Sequence, residues 1–138
     1  MRLTKNFSLK EFIDSVFYSE EIQKQVWEDY SYNEDELLPK IVKLASQLQT
    51  LRDEIGKPIH INISYRPVWY EMSKGRNGNS RHTKGEAADI RVDGMTPEQV
   101  KEVIEELIIK GEMLQGGLSA YPTFVHYDIG FNGRKRRW

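Results

Sequence analysis

Residues 80–89 read SRHTKGEAAD, and the rest of the chain is organised around them. His82 and Asp89 offer an imidazole and a carboxylate seven positions apart, and a second imidazole, His126, stands in FVHYD at residues 124–128. Two imidazoles and one carboxylate suit a borderline-soft divalent ion, and three protein ligands leave zinc's fourth tetrahedral position open to water, as a catalytic centre requires. The helical zinc motif sets its two histidines about four residues apart on one helix face. Here Gly85 between the ligands argues instead for a loop running into a strand.

Outward from this stretch, EAADIRV (86–92) alternates as a strand, with Asp89 and Arg91 on one face and Ala88, Ile90 and Val92 on the other. Upstream, HINISYR (60–66) alternates too: Ile61, Ile63 and Tyr65 point one way, and His60, Asn62, Ser64 and Arg66 the other. An arginine closing such a strand before Pro67 can meet a carboxylate with its planar fork, or form a surface ion pair. His60 shares its face and reads as an ordinary exposed histidine. A short helix and the loop KGRNGN fill residues 69–79. Downstream, MLQGGLSAY and TFVHYDI form two closing strands joined across Pro122, with His126 and Asp128 sharing a face.

Four helices complete the expectation. Ser8 and Glu11 form a capping box for a helix reaching about Phe17, with Leu9, Phe12, Ile13 and Val16 on its apolar face. Leu37, Ile41, Leu44, Leu48, Leu51 and Ile55 mark a core helix stopped by Gly56 and Pro58, which places Pro39 in its first turn. Thr96, Pro97 and Gln99 open a third. Between the first two, Ile22, Val26 and Trp27 suggest a short helix, and residues 30–33 a loop. The terminal RKRRW reads as solvated surface charge, with Trp138 free to fold back.

Ser80, His82, Gly85, Ala87 and Asp89 spell SxHxxGxAxD, which resembles the zinc D-Ala-D-Ala carboxypeptidase family. These are bacterial and phage peptidoglycan peptidases that share a fold with the hedgehog signalling domain. The opening NFSLKEF, LRDEIGKPIHI, the SYRP turn, and GGLSAYPTFVHYDIG with its closing Arg and Trp extend the similarity over nearly the whole chain. The resemblance implies an α+β fold, with a central, mainly antiparallel sheet, helices on one side and a zinc cleft on the other. It implies His82, Asp89 and His126 as zinc ligands, and Arg66 as the anchor for a carboxylate of the peptidoglycan stem peptide. Ser80 either donates to substrate or orients the loop. The expected reaction is hydrolysis of a stem-peptide bond, as a carboxypeptidase or an endopeptidase, with a non-catalytic zinc module of the same fold as the alternative. Several relatives carry a carboxylate three residues before the second histidine, or a histidine two before it. Here those places hold Thr123 and Phe124. Asp128 then stands as the candidate general base, or as the acceptor for a ligand imidazole.

Size and composition bound this reading. At 138 residues the chain suits a single domain over 1–138, and without cysteine any metal must be held by histidine and carboxylate. A net charge of −1 gives no case for nucleic acid. No apolar run suits a membrane span or a signal peptide, so the expectation is a monomer made in the cytoplasm that meets the cell wall after release, in phage lysis, or as part of a virion.

Overall fold

The computed structural model describes residues 1–138. The elements run α1 (Leu9–Ile13), α2 (Glu20–Tyr32), α3 (Glu34–Ile55), β1 (Ile59–Ile63), α4 (Val68–Ser73), β2 (Ala87–Val92), α5 (Pro97–Ile109), β3 (Gly117–Ala120), β4 (Val125–Asp128) and β5 (Arg136–Arg137). The strands lie in the order β1-β2-β4-β3-β5, antiparallel except for the parallel pair β3 and β5. This is the α+β architecture expected: α5 packs on β2, β3 and β4, α3 packs on α5, and both helices share one hydrophobic core with the sheet.

The sheet's share of that core follows from the period-two pattern. Ile90, Leu118, Val125 and Tyr127 are all fully buried, in one core with Leu44, Leu48, Ile104 and Leu107 from the helices. Each such side chain removed from water contributes roughly 1.5 to 3 kcal/mol, so the stripe on α3 suffices to fix the helix in this core. α5 begins as its sequence demands: the Thr96 hydroxyl accepts from Gln99 N at 3.1 Å, and the Gln99 side chain accepts from Thr96 N at 2.9 Å.

Four local expectations are corrected. α1 ends at Ile13, because the Gln23 side chain takes over its terminus, donating to Ile13 O at 3.0 Å and accepting from Ser15 N at 2.8 Å. Val16 is consequently exposed. α2 continues through Tyr30, whose buried ring packs edge-on against Trp27, so the expected loop at 30–33 shrinks to the junction at Asn33. Pro39 sits in the second turn of α3, not the first. It is exposed, as is Asp35, whose carbonyl loses its usual donor and can turn to water instead. Finally, the ladder between β1 and β2 shifts register between Ile61 and Ile63, which breaks the alternation read for HINISYR. Ser64 is therefore buried, not on a polar face, and its hydroxyl donates to Ala87 O at 2.7 Å.

The C-terminal charge run is solvated at Arg134 and Lys135, as expected, but Arg136 and Arg137 are tied down. Arg137 pairs with Glu105 of α5 at 2.8 Å, Arg136 pairs with Asp128, and the Trp138 carbonyl accepts from the Ser119 hydroxyl at 2.6 Å. Trp138 does fold back, with its ring 5.2 Å from that of His126.

Candidate metal centre

The register of the two central strands builds the site. Asp89 on β2 stands directly opposite His126 on β4, and His126 opposite Ser119 on β3, so Asp89 and His126 project side by side from the face away from α3 and α5. His82 arrives from a 3-10 turn, Arg81–Lys84, capped by Ser80, whose hydroxyl accepts from His82 N at 3.1 Å. The turn closes at Gly85 in the left-handed region at φ 71°, where a Cβ would press on Ile41 at 3.2 Å. This is why the stretch needs glycine between its two ligands.

The donor atoms of His82, Asp89 and His126 all lie within 4.8 Å of one another. His82 Nε2 is 3.3 Å from Asp89 Oδ1, and His126 Nδ1 is 3.1 Å from the same oxygen. The other nitrogen of each ring is engaged. His82 Nδ1 meets Ser64 O at 2.7 Å, and His126 Nε2 meets Asp128 Oδ2 at 2.7 Å. Those acceptors can keep one ring proton on each outer nitrogen, so that the inner nitrogens, grouped with the Asp89 carboxylate, can be given to a metal. The residues therefore fit a divalent cation.

The electrostatics follow from the same contacts. Burial holds the His82 imidazole below its ordinary pKa despite Asp89 beside it, which favours the neutral form that can ligate. Burial pushes against charge on His126 as well, but its hydrogen bonds to Asp128 and Asp89 outweigh that and raise it. Burial also works against the Asp89 carboxylate, yet the two imidazoles hold it well below the ordinary range.

The remaining predicted residues fall around this centre. Arg66 is strapped to it: its N–H donates to His82 O at 3.2 Å, and its guanidinium reaches the Ser80 hydroxyl at 3.4 Å. Ser80 thus ties Arg66 to the His82 turn as an acceptor, with its own proton free to donate. A cleft of about 450 Å³ contains both Arg66 and Asp89. Asp128 is fully buried behind His126 and does not line that cleft. It accepts from His126, from Arg136, and from the N–H groups of Gly117 and Gly130 at 3.3 and 3.0 Å. Its Oδ2 lies 2.7 Å from His126 Nε2, the contact that an acceptor for that imidazole makes. His60 lies apart, paired with Asp93 at 3.1 Å.

Three contributors were missed. Glu71 on α4 is completely buried and faces both Arg66, at 3.2 Å, and Arg76. Within YEMSKGR it looks like an ordinary surface acid. Arg136 neutralises Asp128 from within what reads as a solvated tail. Gly117 leaves room for that pair, since a Cβ there would collide with the Asp128 carboxylate.

Residues 6–128 match the family model described as Peptidase M15. The chain is 30% identical to the peptidoglycan L,D-endopeptidase MepK of Escherichia coli, over 87% of this chain and 68% of that protein. The protein of the same name from Shigella flexneri matches to the same extent. The matched span includes His82, Asp89, His126 and Asp128, and the chain belongs to the peptidase M15 family.

Proposed function

We propose that this peptidase binds zinc through His82, Asp89 and His126 and hydrolyses a peptide bond in the stem peptide of peptidoglycan. The observation that carries the reading is the convergence of three ligand atoms whose outer ring nitrogens are already engaged, at the edge of a cleft with an arginine inside it. When bound, the ion supplies a Lewis acid that polarises the scissile carbonyl and acidifies the attacking water. Arg66 binds a substrate carboxylate through the part of its guanidinium that Ser80 and Glu71 do not use. Ser80 and the Ser64 carbonyl hold the His82 ring in place, and Asp128 does the same for His126 by fixing the proton on Nε2. Asp128 is on this reading a positioning residue.

The relatives' name favours cleavage within the peptide over removal of its terminal residue. Zymography on purified cell walls, with mass spectrometry of the released fragments, tests both levels. Clearing that a chelator abolishes and zinc restores is the expected result. Absence of clearing with stoichiometric zinc bound would point to a non-catalytic module.

A further inference from the structure

The cleft beside Asp89 is lined by more cationic side chains than a single substrate carboxylate engages. Arg66, Lys74 and Arg76 all line it, with Phe17 and Phe124 also on its walls. Among these cations only one acid intervenes, the buried Glu71, shared by Arg66 and Arg76. The three cations less Glu71 and Asp89 leave a net charge of +1 in the cleft, and a divalent ion held by Asp89 and the imidazoles would raise it further. Arg76 spends its Nε on Glu71, while neither of its terminal amines donates to a protein group. Lys74 Nζ lies 5.4 Å above the Tyr70 ring with no acidic partner. Arg76 also lines a second hollow, of about 590 Å³, that holds no hydrophobic side chain.

We propose that Lys74 and Arg76 form a second anion subsite, which takes a side-chain carboxylate of the peptide whose other carboxylate Arg66 holds. The inference rests on the peptidase reading and adds a substrate class to it: peptides with two free carboxylates in the segment that occupies the cleft. Glu71 is the positioning residue of this subsite. Its buried carboxylate pins Arg76 by Nε, which presents the remaining planar fork to solvent in a fixed orientation.

The test uses two synthetic stem peptides that share a free terminal carboxylate and differ only in whether the side-chain carboxylate is free or amidated. Both kcat/KM and calorimetric affinity are measured for the zinc-loaded wild type and for Lys74→Gln/Arg76→Gln. A charge-assisted hydrogen bond predicts that the wild type prefers the diacid by roughly 10- to 100-fold, mostly in KM, and that the ratio collapses toward one in the variant. Because Arg76 neutralises a buried acid, Glu71→Gln/Arg76→Gln, which removes both charges together, serves as the companion variant and should show the same collapse. A ratio near one in the wild type, or an undiminished ratio in the variants, overturns the proposal. Binding of the diacid that depends on Lys74 and Arg76, with no cleavage of either peptide, would keep the subsite and remove the peptidase reading.

Discussion

Replacing Asp128 with Asn exchanges a carboxylate oxygen for an NH2 group in a pocket where every neighbour is a donor. Oδ1 receives the N–H groups of Gly117 and Gly130, so the amide oxygen is held there. The NH2 then occupies the place of Oδ2 and faces His126 Nε2 and Arg136 Nη1, 2.7 and 3.2 Å away. His126 can relieve the clash only by moving its proton to Nδ1, the nitrogen 3.1 Å from Asp89, and an Nδ1–H has no lone pair for a metal. The expected loss of zinc affinity is on the order of 10- to 100-fold. Arg136 is left without its counter-charge; since it is about one-fifth exposed, the lower end of the usual cost, about 3 kcal/mol, applies. For a chain of this size that lowers Tm by roughly 10 °C. Competition against a chromophoric zinc chelator measures the affinity, and excess zinc should restore most of the activity. Wild-type zinc affinity in Asp128→Asn refutes the reasoning. A rate loss of about 10²- to 10⁴-fold that persists at saturating zinc would instead make Asp128 the proton carrier.

His82→Ala should abolish stoichiometric zinc, since two ligands cannot hold the ion against buffer; elemental analysis after dialysis checks this. Arg66→Lys should lower kcat/KM at unchanged zinc content, because lysine keeps the charge but loses the fork that Glu71 and Ser80 orient. Gly117→Ala should weaken zinc binding without touching a ligand, as its methyl group displaces the Asp128–Arg136 pair, and the chelator competition reads the change. The Asp89 and Asp128 carboxyls are held low in the folded state, against burial, by His126 and His82 for the first and by His126 and Arg136 for the second. Depressed carboxyls contribute stability that is complete above their ordinary pKa of about 4 and is lost as pH falls through the folded values. Urea midpoints of the metal-free protein should accordingly drop as pH is lowered below about 4, and a flat profile there would count against both pairs.

Much of this was readable because the relevant signals are local. The glycine in the left-handed position of the His82 turn, the capping box of α5 and the apolar stripe of α3 each lie within a few residues of what they determine. So does the alternation that puts Asp89 and His126 on the open face. What escaped depends on partners distant in the chain. Nothing in RKRRW shows that Glu105, 32 residues before Arg137, will receive it, or that Asp128 will receive Arg136. Glu71 escaped because its burial is imposed by the two arginines around it, and α1 was read too long because its stop signal, Gln23, sits on the next helix. Alternation failed at Ser64 for a further reason: one extra residue in the ladder inverts every face beyond it, and composition does not mark where that residue falls.

The two strands that carry Asp89 and His126 are interior to the sheet. β2 is paired on both sides by β1 and β4, and β4 by β2 and β3, so their main-chain donors and acceptors are already committed. A peptide crossing the metal centre cannot join these strands as another member of the ladder, the route by which many proteins grip extended chains. Directly over β2 and β4 it lies across the sheet and is held through its charges and side chains; the ladder edge beside the cleft is that of β1, at Asn62 and Ile63. Ladder pairing tests backbone handedness at every residue, since only a regular extended chain fits it; a grip on side-chain charges does not.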